Sequence, residues 1–263
     1  MRLLLLHLLF AVVFSSMCWS EEGHHNHSLT DEELGAVHFS TSCSKQLEPV
    51  FDGAVALLHS FQYEQAAQVF TEISKQDDKC AMAWWGIAMS HYHGLWDNGD
   101  TSAGRAALYK AQEIAAANRQ TTPREKAYLD ALSEIYRDDG RTVQDHAWAF
   151  EQKMGALRSA YPRDNEAAIF YALALAISAP KTDKTFGHQR KCGEILEPIF
   201  EHQPRHPGVA HYLIHCYDNP ALAQKGLRAA RIYARIAPAS AHANHMPSHI
   251  FHARRLVGGV DQF

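Results

Sequence analysis

The sequence lacks most of the signatures that announce a chemistry. Its 263 residues contain no lysine/arginine run and no interleaving of basic with aromatic residues, and the formal net charge is −4 with histidines neutral. That pattern does not offer the basic surface a nucleic acid needs. No CxxC occurs, which removes zinc ribbons and thioredoxin-like redox sites. HYLIH, His211 to His215, lacks the glutamate of HExxH, so the general base of the zinc proteases is missing. GxSxG, GxGxxG and a phosphate-cradling glycine loop are absent too; GLRAAR and LVGGV have no strand–turn–helix context. Beyond the N-terminal run, no stretch approaches the ~20 consecutive apolar residues of a membrane helix.

What is present begins with MRLLLLHLLFAVVFSSMCWS, where Arg2 precedes an apolar run from Leu3 to Phe14 and small residues at Ser15, Ser16 and Ser20. Residues 1–20 are expected to be a cleaved signal peptide, with a retained anchor as the alternative. The mature chain is then secreted or periplasmic and has no integral membrane segment. Export leaves Cys43, Cys80, Cys192 and Cys216 in an oxidising compartment, where two disulfides can form. Three connectivities are open, as is a set of buried thiols; proximity along the chain favours Cys43–Cys80 and Cys192–Cys216. Residues 21–42 are polar, carry His24, His25 and His27, and are expected to form a mobile arm, with a glycosylation sequon at Asn26.

From Gln46 onward the chain is alanine-rich, with apolar residues three and four apart and breakers at regular distances. This predicts an all-α protein. Helices are expected at 46–59, 63–75, 82–91, 103–118, 124–136, 143–161, 166–178, 188–202, 208–217, 221–236 and 243–251. They read as short pairs, and 46% hydrophobic content is enough for one domain or a stacked array. A period of 34 appears. Ala54 and Ala88 are 34 apart, as are Pro204 and Pro238, which each follow a second helix of a pair. Trp84-x2-Ile87-Ala88-x2-His91 and Ala66-x3-Phe70 match the two halves of a tetratricopeptide unit in part.

The histidines follow the same period: His211 and His245, His215 and His249, and His59 and His93 are each 34 apart. With LLHSFQYEQAAQVF, KCAMAWWGIAMSHYHGLW, HPGVAHYLIHCYDNPALAQKGLRAARIYARIAP and HANHMPSHIF, the chain resembles the tetratricopeptide-repeat proteins, and within them a mostly bacterial subset. The resemblance covers most of Phe51 to Phe251 and is strongest near its end. It implies a right-handed α-solenoid of about six units over 43–253, the last incomplete, and a concave groove that takes a protein or peptide ligand. It also implies that the first helices line that groove, with His59, Trp85, His93, His211, His215, His245 and His249 on it. The tail 254–263, HARRLVGGVDQF in its wider context, departs from the pattern, because a second helix and further repeats are expected there.

Four groove histidines suit a transition metal. Residues i and i+4 on a helix lie ~5–6 Å apart between Cβ atoms, packed helix axes lie ~8–10 Å apart, and imidazole binds zinc at ~2.0–2.1 Å. His211, His215, His245 and His249 are therefore the candidate ligands, for zinc, copper or iron, with Asp218, three residues after His215, as the carboxylate expected to orient the His215 ring. Histidines that stack or hydrogen-bond at repeat contacts are the competing reading. Cys216 beside His215 is not a nucleophile pair, since sequence neighbours on a helix point apart. The sequence thus predicts a binding or scaffold module with no assigned catalytic residue, and a metal-dependent enzyme as the alternative.

Overall fold

Helix formation follows from periodic apolar positions bounded by polar caps. The computed structural model describes residues 30–96 and 99–255, so the expected signal peptide, residues 21–29 of the arm and the tail from 256 lie outside it. Among the described residues the regular structure is helical throughout. A short helix α1 (Asp31–Leu34) and a 3-10 turn at Lys45–Leu47 precede α2 (Glu48–His59), α3 (Tyr63–Gln76), α4 (Ala81–Ser90), α5 (Thr101–Ala117) and α6 (Pro123–Tyr136). Then come α7 (Val143–Ala160), α8 (Asn165–Ser178), α9 (Gly187–His202), α10 (Pro207–Tyr217), α11 (Ala223–Ile236), α12 (Ala241–His245) and α13 (Pro247–Arg255). No described helix is long and apolar enough to cross a membrane.

The helix starts are chemically explicit. Thr122 and Thr142 each close a capping box, with Glu125 and Asp145, and Asp100, Asp164 and Ser240 accept from backbone N–H groups of the first turn. Such caps satisfy donors that the helix itself leaves unpaired. Pro162, Pro204 and Pro238 lie just beyond α7, α9 and α11, where a residue without N–H cannot extend a helix.

Each helix packs on its neighbour in sequence, from α2 on α3 through to α10 on α11 and α11 on α13. The even-numbered helices also touch, α2 with α4, α4 with α6 and α8 with α10. Close approach is made by small residues: a Cβ on Gly86 of α4 would lie 2.4 Å from the Phe70 ring of α3. Contacts of α2 with α10 and of α1 with α11 then join the two ends of the helical run.

The expected arm is different in the structure. Its described part, from residue 30, packs through Phe39 on α2, α4, α6 and α8, and Leu34, Val37 and Phe39 are buried. The Phe39 ring meets Phe51 of α2, Trp85 of α4, Tyr128 of α6 and Phe170 of α8, with centroids 5.1–6.4 Å away. Arg124 lies over the same ring at 4.7 Å and donates to the Ser40 carbonyl. Ser42 N and Oγ donate to buried Glu125 at 2.7 and 2.9 Å, and Ala36 N donates to Arg205 O. The mean polarity of 21–42 concealed three apolar side chains, and these are enough to anchor the segment.

This segment also relocates Trp85, expected on the groove. It is 1% exposed, against Phe39, Tyr128 and Phe170. Disulfides join Cys43 to Cys80, at the start of α4, and Cys192 in α9 to Cys216 in α10. Loops of these lengths, 37 and 24 residues, are each stabilised by about 3–4 kcal/mol through restriction of the unfolded chain.

The expected helix 243–251 is two helices. Pro247 cannot donate to a continuing ladder and opens α13 instead. The break lies between His245 and His249, which the 34-residue register treats as one turn of one helix.

Phe39→Ala tests the role of the segment. Truncation of a buried Phe costs about 3–5 kcal/mol, read as a drop in the urea midpoint. A change below about 0.5 kcal/mol, the scale of surface substitutions, would show that the segment is not part of the core.

Candidate metal centre

His211 and His215 stand one turn apart on α10. That helix is fixed by its buried residues Val209, Tyr212, Leu213, Ile214 and Cys216, and by Gly208, where a Cβ would lie 2.6 Å from His59 Nδ1. The third histidine is His242, in the first turn of α12, which Ser240 caps. His211 Nε2 lies 3.0 Å from His215 Nε2 and 3.0 Å from His242 Nε2. The three nitrogens fall within 4.8 Å of one another.

Hydrogen bonding fixes the proton on the central ring. His211 Nδ1 is 2.6 Å from the His59 backbone carbonyl, an acceptor only, so Nδ1 carries the hydrogen and Nε2 presents its lone pair to the other two rings. Burial lowers the His211 pKa well below its ordinary value, and the neighbouring His215 and His242 add to this. Burial likewise pushes His215 down to about 3 and His242 to about 4. All three are neutral at pH 7, the form that binds metal.

Two ligand nitrogens held at ~2.0–2.1 Å from one ion, at angles between octahedral and tetrahedral, lie about 2.8–3.4 Å apart. The observed 3.0 Å separations fit. Without an ion, two N–H groups must share one lone pair on His211.

Aromatic rings set the walls. Tyr233 stacks on His211 with centroids 5.1 Å apart, and Phe61 stands edge-on at 4.3 Å. Phe61 also lies 5.6 Å from His215 and 5.5 Å from His242, and Trp96, half exposed, lies 5.9 Å from His242. Phe61 holds φ +56°, a left-handed conformation that costs a bulky residue of order 1 kcal/mol or more. Backbone bonds from Phe61 N to Leu58 O and from Gln62 N to Leu57 O hold that turn.

The expected four-histidine set is therefore divided. His211 and His215 meet His242, while His245 and His249 pair beside them with Nε2 atoms 3.1 Å apart. Ring centroids are 6.5 Å apart for His215 and His249 and 6.3 Å for His242 and His245. The break at Met246–Pro247 removes the equivalence of the two HxxxH texts. His242 was hidden by the register, because 34 residues earlier the chain has Gly208, which must be small to admit the His59 ring. The available signal was HANH, which places His242 one turn before His245.

His93 stacks on Tyr63 at 4.1 Å and donates from Nε2 to Ser90 O. His59, expected on the groove, is fully buried. Its Nε2 donates to Glu166 Oε2 at 2.9 Å and its Nδ1 accepts from the Tyr212 hydroxyl at 2.9 Å. His206 Nε2 donates to Glu166 Oε1 at 2.8 Å.

This second group of two histidines and a glutamate has metal-like spacing, yet its protons are arranged otherwise. His206 Nδ1 accepts the Val209 N–H at the start of α10, so Nε2 is the protonated nitrogen and has no lone pair for a metal. The group is a buried brace joining α2, α8 and the entry to α10. Burial alone would raise the Glu166 pKa, but the facing His206 and His59 outweigh it and hold the carboxyl well below its ordinary 4.5. Burial lowers the His59 pKa against the pull of Glu166. A third group, Cys43, Asp77 and Cys80, has its two cysteines joined in a disulfide.

No family model, curated protein or solved structure matches the chain.

A carboxyl whose folded-state pKa lies below its unfolded value contributes stability above that unfolded value, near 4.5, and loses it as pH falls further. Glu166→Gln leaves one histidine N–H facing an amide N–H, and should cost about 3 kcal/mol at pH 7. Urea unfolding at pH 7 and at pH 3.5 should show this cost shrinking at the lower pH. An equal cost at both would mean that Glu166 is not ionised in the folded protein.

Proposed function

We propose that the protein is an exported, tetratricopeptide-like repeat protein that holds one transition-metal ion on His211, His215 and His242. A coordination position is left for a donor from outside the chain. The observation that carries this reading is the convergence of three Nε2 atoms around a ring whose Nδ1 hydrogen is fixed by the His59 carbonyl. Three neutral imidazoles suit zinc, copper or iron.

The groove reading changes accordingly. Between α2, α4, α6 and α8 the inner face is covered by the chain's own segment around Phe39. A protein or peptide ligand is then received at the histidine face, beside exposed Trp96, and supplies a donor to the metal. A metal-dependent enzyme is the second reading, favoured by the donor count: three protein ligands with an open position are the arrangement of catalytic sites, whereas structural sites use four.

The test is metal content by plasma mass spectrometry on protein made without a histidine tag, beside a His211→Ala/His242→Ala variant shown by circular dichroism to be folded. The variant should lose one equivalent of metal. Added imidazole should shift the visible spectrum of the protein loaded with a single equivalent of cobalt, which fills the tighter site first, if a position there is open. Equal metal in both proteins would overturn the site, and a spectrum indifferent to imidazole would remove both the ligand-capture and the enzyme readings.

A further inference from the structure

His245 and His249 belong to neither the three-histidine centre nor the buried brace. We infer that they form a second, solvent-open metal site for a borderline transition cation such as Zn2+ or Cu2+, completed by water. His249 Nδ1 lies 2.8 Å from Asp218 Oδ2. An ionised carboxylate only accepts, so the hydrogen sits on Nδ1 and the His249 Nε2 lone pair is presented outward. It faces His245 Nε2 at 3.1 Å, within the separation of about 2.8–3.4 Å that two imidazoles on one ion would have. A carboxylate behind a ligating histidine fixes its orientation and raises its basicity. Asp218 immediately follows α10, so the helix that carries the inner ligands also sets this outer orienting group.

An ordinary ion pair between α10 and α13 would account for Asp218 and His249. It would not account for the second nitrogen of His249 meeting Nε2 of His245. Both rings lie at the surface, where a hydrogen bond between two imidazoles competes with water and contributes little. Convergence of the His245 nitrogen on the lone pair that Asp218 fixes on His249 is what a cation would reward.

The outer site is the weaker of the two. It offers two protein donors instead of three, is a third exposed at His249 and Asp218, and lies beside the inner cluster, whose ion would repel a second one. It stands on different residues from the inner site, so one experiment separates them.

That experiment is zinc titration of the tag-free full chain against a chromogenic chelator. His24, His25 and His27 contribute equally to every sample. His245→Ala/His249→Ala should lose the weaker of two equivalents and leave the tighter unchanged. Asp218→Ala should weaken the same equivalent about 10–100-fold. His211→Ala/His242→Ala should lose the tighter one; failure of that variant alone would sink the inner site and leave the outer one standing. The outer site is overturned if His245→Ala/His249→Ala titrates as wild type or loses the tight equivalent, or if Asp218→Ala binds zinc as wild type does.

Discussion

The hydrogen bond from His211 Nδ1 to the His59 carbonyl, 2.6 Å long and closed to water, sets the character of the histidine face. It decides which nitrogen of His211 bears the proton, and so whether His215 and His242 meet a donor or a lone pair. The carbonyl is held in place because the His59 side chain is itself held, by Glu166 on α8 and Tyr212 on α10. Gly208 lets α10 come close enough for these bonds to form. Core and histidine cluster are thus one network, in which a buried carboxylate distant in sequence helps hold the residue whose carbonyl fixes the His211 tautomer.

Two clusters of similar spacing have opposite chemistry for the same reason. At His211 the Nδ1 partner is a carbonyl, and Nε2 presents its lone pair to His215 and His242. At His206 the Nδ1 partner is a backbone N–H, and Nε2 is committed to Glu166. Proximity of imidazoles is therefore a poor guide by itself; what lies behind each ring decides its use. Asp218 behind His249 places that residue with His211 rather than with His206.

The segment around Phe39 has a comparable influence on the fold. A stack of helix pairs with an open concave wall would leave Trp85, Tyr128 and Phe170 facing water, and burial of such rings stabilises by roughly 2–3 kcal/mol each. Phe39 covers these rings, and the disulfide from Cys43 to Cys80 ties the end of its segment to α4. The histidines lie elsewhere, on α10, α12 and α13.

The all-helical character was determined by sequence alone, because apolar spacing, capping residues and prolines are local properties that tertiary contacts only sharpen. HYLIH likewise pointed to His211 and His215, one turn apart on any helix. What the 34-residue register could not supply was His242. It is brought to His211 by the turn at Ser240 and by the break at Pro247, and its counterpart one period earlier is Gly208, a residue with no donor. Nor did the polar composition of residues 21–42 reveal that Phe39 would fill the inner face. Periodicity reports which side of its own helix a residue occupies. Which side chains share one space, and which nitrogen of each ring is free, depends on contacts between segments more than 150 residues apart, such as His59 with His211, and only the assembled chain decides them.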